Sequence, residues 1–233
     1  MNYFAHGKAY TEDPYFLAGT AVPDWLNVVD RKIRVRPRQA ALFVANEDTI
    51  LATIAAGVMQ HHQDDAWFHR TQAFTELSLN FTVAIRDILG QDDGLRCYFL
   101  GHILVELLLD SELIEENPNV LQLYYDALGH VDALQLAAAV TRMSGRQADG
   151  IGWLLPRFIS ERFLWDYPED EKLLRRLNQV MRRVGLPQLP DKFLQLLPAA
   201  RAEVRQRHQE LLTPVLDQDT ESATTKIISG SNG

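Results

Sequence analysis

Two segments of this chain repeat a histidine and an acid at a spacing of four. In the first, Gln-His61-His62-Gln-Asp64-Asp65-Ala-Trp-Phe-His69, the repeating residues are His61, Asp65 and His69. In the second, His102, Glu106 and Asp110 interrupt a run from Cys97 to Asp110 that is otherwise apolar almost throughout. Residues four apart on a helix share one stripe, so each segment sets imidazole beside carboxylate. A carboxylate buried without a partner is strongly destabilising. Such a stripe therefore calls for positive charge, hydrogen-bond donors or a metal ion.

His6, and Asp24 in Val-Pro-Asp24-Trp, enlarge the set. Five of the seven histidines lie in the first 102 residues, so the first half of the chain is where a site would be built. Imidazole nitrogens with carboxylate oxygens suit zinc, manganese or iron, and bundled helices deliver such ligands inward. The candidate ligands are His6, Asp24, His61, Asp65, His69, His102 and Glu106. Asp64, His62 and Glu106 are candidates for orienting a ligand or moving a proton. One His-x3-acid pair alone would suit a metal-free polar network tying helices together. Recurrence of the pair, with His6 and Asp24 added, favours one or two divalent ions.

These side chains must be positioned by helices. The run around Cys97–Asp110 has no proline and no β-branched cluster, and reads as a helix buried on most of its circumference. Asn46 to His69 and Thr71 to Leu89 carry helical patterns, as do Pro118 to Leu128 and Leu134 to Met143. Trp153 to Tyr167 reads as an aromatic-rich core helix. Residues 168–185 have an acidic start, a basic end and a closing glycine, matching a helix dipole and cap. Residues 191–216 read as one long amphipathic helix with His208 on its surface. Pro23 places Asp24 at an element boundary. No alternating strand pattern occurs, so the expected class is all-α, one multi-helix domain over 1–216 followed by a disordered tail over 217–233.

Composition narrows the function classes. Thirty-one acidic against 23 basic residues give a net charge of −8, which argues against a general nucleic-acid binder. The single cysteine, Cys97, excludes an intrachain disulfide framework and cysteine-rich zinc sites, and suits a reduced, cytoplasmic setting. No leader pattern and no long apolar span is evident, so a soluble protein is expected. Against the acidic background, Arg31, Lys32, Arg34, Arg36 and Arg38 form one basic run. Its alternation with Ile33 and Val35, and Pro37 behind it, predict an extended loop suited to an anionic partner or phosphate. A non-catalytic adaptor that binds an acidic partner through this loop is the other class of function the residues allow.

Four segments carry a family resemblance: Met-Asn-Tyr-Phe-Ala-His6, Leu-Ala-Gly-Thr-Ala-Val-Pro-Asp24, Ala-Gly-Val-Met-Gln-His61-His-Gln-Asp-Asp65, and His102 in Phe-Leu-Gly-His-Ile-Leu. In order and approximate spacing over about the first 115 residues they resemble the acyl carrier protein phosphodiesterases. That resemblance implies an all-helical fold related to the HD-type metal phosphohydrolases. It also implies manganese-dependent release of 4′-phosphopantetheine from acyl carrier protein, with His6, Asp24, His61, Asp65 and His102 at the metal site. Two positions depart from the family pattern. Gly101 stands where the family's Asp-His doublet has aspartate, and His69 where a later aspartate is expected, leaving His69, Glu106 and Asp110 as compensating candidates. The segment ending at Asp24 and the Gly-His-x3-Glu helix also resemble the zinc-dependent phospholipase C-like proteins. Both resemblances imply phosphoester hydrolysis, in which divalent ions activate water and neutralise charge developing on the phosphoryl oxygens.

Overall fold

The structure, a computed structural model, describes residues 1–90 and 94–214, with Gly94 and Leu95 described for their backbone alone. The expected turn at 90–94 and the expected tail at 217–233 therefore lie largely or wholly outside the described residues. Among those described, every regular element is helical: α1 Tyr3–Gly7, α2 Pro14–Val29, α3 Pro37–Ala40, α4 Thr49–Phe68, α5 Gln72–Leu89, α6 Gly94–Glu116, α7 Pro118–Leu128, α8 Ala133–Ser144, α9 Asp149–Glu161, α10 Asp170–Val184 and α11 Leu197–Leu211. Short 3-10 turns at Phe163–Asp166 and Asp191–Gln195 join the last three. The all-α expectation holds, and no described helix is long and apolar enough to cross a membrane.

Local chemistry explains where the helices that matter begin. Asp48 caps α4 by accepting from the Leu51 amide at 3.2 Å, and Thr71 caps α5 by accepting from Phe74 at 3.2 Å, each satisfying an orphan donor of the first turn. Helix α1 is capped from elsewhere in the chain. Asn2 makes no capping bond with its side chain, and the Phe4 and Ala5 amides donate instead to Asp110 of α6, at 3.0 and 2.7 Å. A helix of five residues has little stability of its own. The fully buried Asp110 carboxylate and the packing of Phe4 on Tyr124 hold it in place.

Helices α2 and α4 touch backbone to backbone, and glycine makes this possible. A Cβ on Gly57 would stand 2.2 Å from the Phe16 carbonyl oxygen, and one on Gly19 would stand 2.4 Å from that of Ile54. The close crossing lets His61 of α4 reach the Thr20 carbonyl of α2 at 2.8 Å. Gly57→Ala should therefore destabilise the fold by about 3 kcal/mol, because overpacking here meets backbone that has no rotamer to give. Denaturant unfolding will measure it, and an unchanged midpoint would show that the two helices can part freely. Helices α5 and α6 meet in the same way at Gly101, where a Cβ would lie 2.4 Å from Thr82 Oγ1 and 2.5 Å from the Ser78 carbonyl oxygen. Position 101 thus faces α5, which leaves no room for an aspartate.

Four sequence expectations need correction. Asp24 lies inside α2, at no boundary and on no loop; Pro23 sits within that helix, where the α4 contact outweighs the lost backbone bond. The Trp153–Tyr167 helix stops at Glu161, because Arg162 turns left-handed at φ 46° before the 3-10 turn. The long helix over 191–216 is divided, since Pro198 in the first turn of α11 has no amide to continue a helix from upstream. The basic segment is extended only over residues 33–36: Arg31 and Lys32 form a turn, and Arg38, expected on the loop, lies in the short helix α3 that Pro37 starts. Ile33 and Val35 are buried and the five basic residues exposed.

Candidate metal centre

The close crossing of α2 with α4 and the tethering of α1 by α6 bring six candidate ligands into two triads. In the first, His6 of α1 meets His61 and Asp65 of α4. In the second, His69 at the end of α4 meets His102 and Glu106 of α6. In each triad one ligand atom per residue falls within 4.8 Å of the others. Asp24 enters the same region, its charge interacting with His61, His6, Glu106 and Asp65.

The first triad is oriented by bonds on its outer side. His61 Nδ1 lies 2.8 Å from the Thr20 carbonyl oxygen, which can only accept, so Nδ1 carries a hydrogen and Nε2 is the atom left to face Asp65. His6 Nδ1 lies 3.2 Å from Asp64 Oδ2, and Asp64 is itself steadied by Gln60 Nε2 at 2.8 Å. Both Nε2 atoms then turn to Asp65, each at 3.3 Å from one of its oxygens. The rings stack at 4.1 Å. His6 Nε2 is buried, and beyond its 3.3 Å approach to Asp65 no well-aligned hydrogen bond reaches it among the described residues. An imidazole held by a carboxylate at one nitrogen, with the other aimed into a cluster of acid, is the arrangement of a metal-ligating histidine.

The second triad is more open. His69 Nε2 approaches Glu106 Oε1 at 2.9 Å and His102 Nε2 approaches the same oxygen at 3.2 Å. Side-chain exposure is 32% for His69 and 35% for His102, against 0% for His6 and 4% for His61. Phe74 packs edge-on against both outer imidazoles at 4.8 Å. The Met1 amino nitrogen joins the triads, 2.7 Å from Asp65 Oδ1 and 3.4 Å from Glu106 Oε1. One positive charge thus already bridges the two carboxylates.

The electrostatics mark this as a place that demands cations. Burial would raise the Asp65 carboxyl, but His6, His61 and the Met1 ammonium hold it far below the usual carboxylate range. Burial acts likewise on Glu106, and the Met1 ammonium with His102 and His69 overcomes it, again well below the usual value. Asp24 has no such rescue. Burial pushes its carboxyl up despite His61 and His6, and it makes no hydrogen bond or ion pair among the described residues. Burial resists charge on His6 too, yet Asp64 and Asp65 raise it from 6.5 to about 9. A proton is therefore held where a metal would bind.

A pH dependence follows from His6. Its folded value lies above its unfolded one, so its contribution to the stability of metal-free protein is complete below about pH 6.5 and is lost as pH rises through about 9. Metal must displace that proton, so divalent-ion affinity should climb across the same window. Thermal unfolding and calorimetric titration from pH 6 to 9.5 (about that range) will show both trends, and parallel, flat profiles would exclude His6 as a ligand.

Other sequence candidates go elsewhere. His62 Nε2 donates to the Val35 carbonyl at 2.8 Å, tethering the basic segment to α4, so its polar atom serves that loop while its ring packs edge-on against His61 at 5.5 Å. Asp110 caps α1, and burial lifts its carboxyl to about 7 against the two amide bonds it accepts. Of the basic run, Arg31 alone borders the cavity beside Glu106 and Asp24. Sequence reading missed Thr20 and Gln60, whose roles arise only when helices meet. It also missed a third cluster, Glu112 and Glu116 of α6 with His208 of α11. There Arg205 already engages both Glu112 oxygens, at 3.0 and 2.8 Å. No family model, curated protein or solved structure matches the chain.

Proposed function

We propose that this protein is a phosphoester hydrolase working with two divalent ions, manganese or zinc. His6, His61 and Asp65 would hold one ion, His69, His102 and Glu106 the other, with Asp24 beside both. The observation that carries the reading is the gathering of His6 and His61 on Asp65 and of His69 and His102 on Glu106, with the Asp24 charge coupled to both acids. Three acids in one recess need more positive charge than the Met1 ammonium supplies. The donor set, nitrogen and carboxylate oxygen without sulfur, suits these metals. The resemblance of the first 115 or so residues to acyl carrier protein phosphodiesterases agrees with the same chemistry.

Bound ions would supply Lewis-acid activation of water and charge neutralisation at phosphorus. The chain's own residues do the rest. Asp64 and Thr20 fix the tautomers of His6 and His61, and Asp110 fixes the helix that carries His6. Glu106, the one member of the second triad on its lining, and Asp24 border a cavity of about 540 Å³, which would take the substrate. A carrier protein bearing phosphopantetheine, a phospholipid and a small phosphodiester are the substrate classes to compare.

The test is hydrolysis by protein stripped with chelator and reloaded with manganese or zinc, assayed on holo acyl carrier protein, phospholipid, and simple phosphodiesters and phosphomonoesters. Metal-dependent turnover that is lost in both His61→Ala and His102→Ala is expected. Loaded protein that turns over none of these, or turnover that both variants retain, would overturn the reading.

A further inference from the structure

The cavity bordering Glu106 and Asp24 has a second polar end. Helices α6 and α10 run along it in opposite directions. Arg96, in the first turns of α6, donates to the Pro187 and Gln188 carbonyls just beyond the end of α10. At the other end Tyr167, just before α10, accepts from Asn2 at 3.2 Å, next to the Met1 nitrogen that contacts Glu106. Within a lining that reaches Leu107 on α6 and Val184 on α10, Phe99 and Glu106 mark the two ends on α6, and Arg183 and Arg176 on α10. Each pair is a step of seven residues, about 10 Å along a helix axis. The end of the cavity with Arg31 and Arg183 is thus set off from the Glu106 end by about 10 Å along the helix axes.

Their charges are unspent. Arg176 is bound to Asp166, and Arg157 to Glu161. Arg31 donates to the Arg183 carbonyl at 3.0 Å, which brings the two residues to one end of the cavity. Neither has a carboxylate partner among the described residues. Between the ends the wall is apolar and aromatic, with Trp25, Phe99, Leu154 and Phe158. Trp153 lies at the same cavity with 55% of its surface exposed. The buried Trp25 indole N–H, also on the wall, has no acceptor among the described residues. Such a space offers apolar surface and one orphan donor along its length, and ends in two guanidinium groups.

We propose that this cavity takes a two-headed ligand: a phosphoester at the metal centre, an apolar segment across the aromatic wall, and a second anionic group at Arg31 and Arg183. The phosphoester half rests on the hydrolase reading above, whereas the distal anion site stands on its own geometry. Guanidinium favours carboxylate and phosphate alike, and the shared requirement is an anion set off from phosphorus by an apolar spacer of about 10 Å.

Calorimetric titration separates the halves. On metal-free protein, hexanoate, octanoate and decanoate should bind with increasing affinity, their methyl esters should bind more weakly, and Arg183→Gln should weaken the carboxylates about tenfold or more while leaving the esters unchanged. Arg183 is exposed, so the variant should fold, and Arg183→Lys should restore part of the affinity. Equal binding of acids and esters, or no effect of Arg183→Gln, overturns the distal site whatever the enzyme hydrolyses. With manganese present, an ω-phosphono-carboxylate should outbind both the alkylphosphonate and the carboxylate of equal length. If the carboxylates bind through Arg183 but the phosphonate head adds nothing with metal, the distal site stands and the phosphoester half is overturned.

Discussion

Asp65→Asn is expected to remove one divalent ion per chain and to weaken metal binding by more than a hundredfold, beyond the roughly 10–100-fold cost of losing an outer-shell partner. Asp65 meets His6 Nε2 and His61 Nε2 at 3.3 Å each and the Met1 nitrogen at 2.7 Å. An asparagine keeps the shape but removes the charge, and its amide group points a donor at a space that metal or proton must occupy. The metal-free protein suffers as well, since the almost fully buried Met1 ammonium and His6 lose their counter-charge. A cost of about 3 kcal/mol is expected, at the low end for breaking a buried pair because the Asp65 side chain keeps 31% exposure. Denaturant unfolding with and without chelator checks both effects. A variant as stable as the parent and still binding its full complement would remove Asp65 from the site.

Glu106→Gln should remove the other ion and leave the first in place. A single oxygen of Glu106 gathers His69 at 2.9 Å, His102 at 3.2 Å and the Met1 nitrogen at 3.4 Å. The amide cannot accept from three cationic or metal-seeking groups at once, and it offers no charge to hold them. Because the outer imidazoles are a third exposed, stability should fall less than in Asp65→Asn. Turnover should fall more than a thousandfold, on the order of losing a catalytic ion's electrostatic contribution. Paired metal analysis and kinetics measure this. Retained turnover with one ion lost would assign catalysis to the inner triad alone.

The parts of this arrangement legible in the sequence are those set by helix periodicity. His61 with Asp65 and His102 with Glu106 are read from spacing, because a turn of 3.6 residues places them together whatever surrounds them. The all-α class and the start of α5 at Thr71 follow from pattern, whereas α4, read from Asn46, begins only at Thr49 behind its Asp48 cap. What pairs across helices was not legible. Nothing local says that Asp110, on the same stripe as Glu106, turns to the amides of α1, or that His62 turns from its neighbour's site to the Val35 carbonyl. Pro23 was misread because its local preference is outweighed by the contact of Gly19 with Gly57, two glycines 38 positions apart (about that separation being far beyond any local rule). The departure at Gly101 likewise makes sense only once α5 is seen against it.

The most direct test is the metal content of chain reconstituted above the His6 transition, determined by elemental mass spectrometry on the parent, Asp65→Asn, Glu106→Gln and the double variant. The account predicts about two ions, one, one and none, one for each triad of three protein ligands. A correctly folded parent that retains no divalent ion, or single variants that retain as many ions as the parent, would contradict it.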